Sequence, residues 1–166
     1  MFFSQKFTKE MGRYSLENVA QTAASTRGWI SYVSEKQEGS TYDLGAFDPS
    51  IGGMLSKFPQ AVVVTLFRPF PWEARKVIIA LSALEALIFL YFTLRALFKK
   101  GKQFKTIFKD PNITFFLIFS LIFAFAVGIS SYNFGALSRY KIPCLPFYAA
   151  FLMIVLYKDD VRKENA

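Results

Sequence analysis

Two long apolar stretches, Val77 to Leu94 and Ile113 to Tyr132, flank a cluster of cations at Arg95, Lys99, Lys100, Lys102, Lys105 and Lys109. No other pattern in this chain narrows its possible folds so far. Bilayer hydrocarbon is ~30 Å thick and a helix rises ~1.5 Å per residue, so about twenty apolar residues span it. Each stretch is nearly free of charge, and short loops rich in Lys and Arg stay on the cytoplasmic side. The pattern predicts two membrane-crossing helices joined by a cytoplasmic turn.

Composition agrees: 53% of the 166 residues are hydrophobic and 20 are Phe. The first sixty residues balance six basic groups against six acidic ones, so the whole net charge of +8 lies in the remaining part. A basic protein invites a nucleic-acid reading. Here the excess lies beside apolar spans, where positive-inside sorting and anionic headgroups account for it, and no nucleic-acid partner is expected. The chain has no His and one cysteine, Cys144. That excludes Ser-His-Asp and Cys-His catalysis, imidazole metal sites, an internal disulfide and a CxxC site. No metal and no cofactor is expected.

The fold class predicted is an all-α membrane protein with three transmembrane helices. Residues 1–58 read as an extracytoplasmic, mainly helical polar segment. Within it Leu16, Val19, Ala20, Ala23, Ile30 and Val33 recur at helical spacing, and a turn-rich connection follows from Gly39 to Gly53. Ser50 is placed to cap a short helix that runs to Phe58. Residues 59–70 are apolar but too short to cross, and read as a short interfacial helix, with a strand as the alternative because Val62, Val63 and Val64 are consecutive. Residues 71–166 form the three-helix module, with helices at about 72–98, 111–132 and 143–157. Trp72 suits the aromatic belt at headgroup level. The third helix is short, 16 residues from Ile142 to Tyr157, which a thin bilayer or a buried start accommodates. With the 95–109 loop inside, the N-terminus and the 133–142 loop lie outside, and the C-terminal tail is cytoplasmic. A 60-residue exported segment without an apolar leader points to further helices preceding this chain in a longer polytopic protein.

Glu85 is the sharpest single residue, nine positions after Lys76 and ten before Arg95, near mid-bilayer. Carrying a charge there costs on the order of 3 kcal/mol on insertion scales. It should face protein or water. Ser82 and Ala86 share its face, and Ser120, Ala124 and Gly128 follow at four-residue steps on the second helix. Such small faces let helices approach closely. Glu85 is thus expected against that row, either holding helices together or contacting a substrate or ion. The outer loop supplies a second group. Arg139 and Lys141 with Tyr140, Asn133 and Arg68 suit a lipid-linked phosphate and its sugar, the cations holding phosphate and the aromatic ring a sugar face. The bland alternative is anchoring to lipid headgroups.

The run Arg68-Pro69-Phe70-Pro71-Trp72-Glu73-Ala74-Arg75, the Glu85 helix, and Asn133-Phe134-Gly135 followed by Arg139-Tyr140-Lys141-Ile142-Pro143 and Pro146-Phe147 resemble the C-terminal helices of bacterial polytopic proteins of surface-polysaccharide biosynthesis. The ending is similar to the Arg-Tyr-x-x-Pro-x-x-Pro-Phe segment of multi-pass lipid-sugar glycosyltransferases. Those proteins have many more helices and carry catalytic acids in early outer loops, a part with no counterpart here. The resemblance implies an inner-membrane module that handles polyprenyl-phosphate-linked sugars in capsule or O-antigen synthesis, not catalytic by itself. A second expectation is a small accessory subunit docking on a larger membrane enzyme or transporter through Ser120, Ala124 and Gly128. A third is a transporter fragment that uses Glu85.

Overall fold

The computed structural model describes Ser25 and residues 41–45, 50–100 and 110–164. The N-terminal amphipathic stripe and Lys102, Lys105 and Lys109 lie outside the described residues. Among those described, helices are the only regular elements, joined by one isolated antiparallel bridge between Thr41 and Asn133. In chain order they are α1 (Ile51–Ser56), α2 (Phe58–Phe67), α3 (Val77–Lys100), α4 (Pro111–Ser130), α5 (Phe134–Tyr140) and α6 (Leu145–Glu164), with 3-10 turns at Pro71–Glu73 and Ile142–Cys144.

Local chemistry sets most of these boundaries. The Ser50 hydroxyl accepts from the Gly53 amide and starts α1. α2 stops at Arg68, whose extended backbone is what a following proline imposes. Asp110 caps α4 through the Asn112 amide, with Pro111 in the first helical position. Asn133 caps α5 by accepting from the Ala136 amide at 2.7 Å.

Two helices are long and apolar enough to cross a membrane, α3 over Val77–Phe98 and α4. A third crossing is available if α5 and the run Ile142–Tyr157 act as one broken span bent by 41°. The bounds differ from those expected. The first span begins at Val77 rather than Trp72, because Ala74 is extended and separates the Pro71 turn from the helix. The second ends at Ser130 rather than Tyr132, where Ser131 turns extended. The third starts at Leu145 rather than Pro143 and continues to Glu164 rather than stopping at Tyr157. The helix is therefore 20 residues long, against the 16 expected.

The segment 59–70, read as interfacial, contributes the helix α2 and not a strand. Its Ala61, Val62, Val64, Thr65 and Leu66 are buried. It packs most extensively on α4, and here the expected pairing of helices is corrected. The row Ser120, Ala124 and Gly128 is buried, but Ala124 and Gly128 meet α2 and not the Glu85 face of α3, while the Ser120 hydroxyl donates to the Phe116 carbonyl of its own helix. A Cβ at Gly128 would lie 2.3 Å from the Ala61 carbonyl oxygen, so the two backbones touch there. The Thr65 hydroxyl lies 2.9 Å from the Ala61 carbonyl and 2.8 Å from the Ala124 carbonyl, a bond that crosses between the helices. α2 takes this place because Ala61 and Thr65 present a small ridge at the same four-residue step.

α6 lies between α3 and α4. Tyr148 shares a 2.8 Å hydrogen bond with Thr93 of α3. On the other side, Phe147 packs into Phe115, Phe116 and Phe119 of α4, with the closest ring centroids 4.4 Å apart. Two buried clusters result, one built on Leu66, Ala124, Cys144 and Phe151, the other on Tyr42, Ala61, Phe134 and Leu137. α2 contributes to both. Tyr42 crosses the end of α4, where its hydroxyl lies 2.9 Å from the carbonyls of Gly128 and Ser131 and satisfies groups that the helix terminus leaves open.

Candidate functional site

Lys141 closes α5. Its amide donates to the Leu137 carbonyl at 3.0 Å, and its side chain then turns inward to α3. There Nζ meets Oε1 of Glu85 at 2.9 Å. Only 1% of the lysine side chain is exposed, against 41% for Glu85. Both contacting atoms are sealed, and neither gains a further hydrogen bond among the described residues. A pair of this kind in hydrocarbon exchanges two separate charges for one neutral unit, the state in which such groups persist there. Lys141 also carries the chain onward, since its carbonyl accepts from the Cys144 amide and begins the turn into α6. The ion pair therefore ties the first span to the bend of the last.

A second ion pair lies at the end of α2. The Arg68 guanidinium grips Glu73 through Nε at 3.1 Å and through a second nitrogen. The Glu73 carboxylate also accepts from the Phe70 amide at 2.8 Å. Burial pushes the Glu73 carboxyl up, but the Arg68 hydrogen bond, the Phe70 amide and the Arg68 charge together outweigh it and hold the group below its ordinary range. The guanidinium also stands 5.2 Å from the centre of the Phe134 ring, a cation–π contact that reaches the start of α5.

The five residues expected to hold phosphate therefore have different surroundings. Lys141 is corrected from an outward phosphate grip to a buried partner of Glu85, because α5 ends in a turn that directs its side chain inward. Arg68 is held by Glu73, and Asn133 caps α5. Arg139 and Tyr140 remain at the surface, the tyrosine 57% exposed, with Arg139 Nε donating back to the Gly135 carbonyl at 3.2 Å. Of the residues expected beside Glu85, Ala86 is buried, while Ser82 donates to the Ile78 carbonyl of its own helix.

Sequence reasoning missed Tyr42 and the Arg68–Glu73 clasp. The signal for the clasp was present as two opposite charges five residues apart around prolines. Among the described residues no three of Cys, Asp and Glu come together as a metal-binding group would require. The arrangement offers ion-pair and hydrogen-bond chemistry. Comparison with protein-family models, curated proteins and solved structures finds no match to this chain.

Proposed function

We propose that the chain is a module of the bacterial inner membrane that holds lipid-linked sugars for capsule or O-antigen synthesis, as the C-terminal part of a glycosyltransferase-like polytopic protein. In this reading residues 1–70 and the 133–142 segment are extracytoplasmic, and the 95–109 loop and the tail are cytoplasmic. The observation that carries it is the ending of α5. Arg139 and Tyr140 are open there, a cation with a planar fork beside an aromatic face, while the next residue is committed to the interior. Arg139 suits the phosphate of a polyprenyl-linked donor, and Tyr140 the face of its sugar. The role is binding and orientation, with no chemical step assigned to these side chains.

Replacing Arg139 by Ala is expected to abolish surface polysaccharide while the protein level stays unchanged. Normal polysaccharide in that variant rejects the reading.

A small subunit docking on a larger enzyme or transporter is the second reading. The row Ser120, Ala124 and Gly128 offers it no open face, since all three are buried and α2 covers Ala124 and Gly128. What favours it is α3, whose Leu81, Leu84 and Ile88 are uncovered by any described element. Loss of a co-purifying membrane partner on Leu84→Arg, with the chain still inserted, is the outcome this second reading requires.

A further inference from the structure

Glu85 stands on a boundary of α3. Ala83 and Ala86 beside it are buried, whereas Leu81, Leu84 and Ile88 are open. Its Oε1 is the sealed atom that meets Lys141, yet 41% of the side chain is exposed, so the open part of the residue is other than the oxygen at the lysine. Lipid chains offer an acid on this face no hydrogen-bond donor, and the neighbouring Ser82 hydroxyl donates to the Ile78 carbonyl of its own helix instead. Something polar must meet it.

Charge balance narrows what that is. Glu85 and Lys141 together are neutral, so an arriving cation or anion would add net charge to a low-dielectric site. A neutral donor does not. The neutral donor that a carboxylate oxygen binds most strongly is a hydroxyl, in a short charge-assisted bond. The Lys141 ammonium cannot serve a ligand directly, because its nitrogen is sealed. Its contribution is to hold the carboxylate in position. The two residues before it in the chain are the open Arg139 and Tyr140.

Resting on the lipid-linked sugar reading, we propose that Glu85 is the hydroxyl-acceptor site for the sugar of that ligand, with Lys141 as its positioning residue. The pair distinguishes a sugar-bearing polyprenyl phosphate from the bare lipid phosphate, while Arg139 binds both.

The test uses the full chain in nanodiscs of phosphatidylethanolamine and phosphatidylglycerol. Polyprenyl phosphate and polyprenyl-phosphate-linked hexose are titrated separately, and occupancy is read by native mass spectrometry. The wild type is expected to prefer the hexose-bearing probe by roughly tenfold or more, the worth of one charged hydrogen bond. In Glu85→Leu/Lys141→Met, which removes both charges and leaves no stranded partner, the preference disappears while bare lipid phosphate binds as before. Lys141→Met alone loses most of the preference as well. Equal binding of the two probes by the wild type, or a preference retained in the double variant, overturns this proposal and leaves the lipid-linked sugar reading standing. If the wild type binds neither probe, that reading falls and this proposal falls with it.

Discussion

Glu73 and Lys141 show how the same interaction differs with its surroundings. The Arg68–Glu73 clasp lies at the end of α2, before the first span, and is partly open. The Glu73 carboxyl is held below its ordinary value of 4.5, so the clasp adds stability in full above that value. The contribution is lost as pH falls through the depressed folded value. The fluorescence of Trp72, which stacks on Phe70 with ring centroids 4.8 Å apart, reports on this turn. In a Trp29→Phe background it is expected to change on acidification from pH 5 towards pH 3, and Glu73→Gln should remove that transition. A transition of unchanged size in the Gln variant contradicts the clasp. At Lys141 the two partners are unequally buried, so removing them has unequal cost. Glu85→Ala strands a sealed ammonium and should destabilise the chain by about 3 kcal/mol in reversible unfolding from detergent micelles. Lys141→Met leaves only a half-exposed acid and should cost clearly less. The reverse order would mean that the lysine is not sealed.

Among the elements, α2 carries the largest difference between expectation and structure. It is too short to cross a bilayer, and its apolar run alone places it no more precisely than an interface or a strand. Its small residues, Ala61 and Thr65, become informative only beside Gly128 and Ala124 on a helix sixty residues further on. That is a tertiary fact, which spacing within α2 does not contain. The two long apolar helices were legible because twenty apolar residues between cations have few alternatives. So was the burial of Ser120, Ala124 and Gly128, though not that α2 covers the last two. The site was legible in part: Glu85 was identified as an unusual charge, but its partner depended on a turn at the end of α5 that reverses the direction of Lys141. Gly128→Ala should destabilise by roughly 1–3 kcal/mol, since the new Cβ meets backbone and α2 must move. Gly52→Ala is the control, as its Cβ would meet nothing nearer than the Ser50 hydroxyl at 4.0 Å. Equal stability of the two variants argues against the contact of α2 with α4.

For the molecule as a whole, the crossings and the ion pair depend on one another. α4 is the described helix between the end of α3 and the start of α5 and is long and apolar enough to cross, and such a crossing puts Lys100 and Tyr140 on opposite sides of the membrane. With the buried Cys144 left as a silent thiol, Lys100→Cys and Tyr140→Cys should react with an impermeant maleimide from opposite faces of sealed vesicles. Labelling of both from one side rejects the span. Given that crossing, Glu85 lies ~12 Å of helix below Val77, and Lys141 reaches it from the bend that opens the last span. The most direct measurement is a double-mutant cycle on Glu85→Gln and Lys141→Met, read as unfolding free energy in lipid bicelles. Direct pairing predicts that the double variant is at least ~1 kcal/mol more stable than the sum of the single losses allows. Strict additivity of the two losses would contradict it.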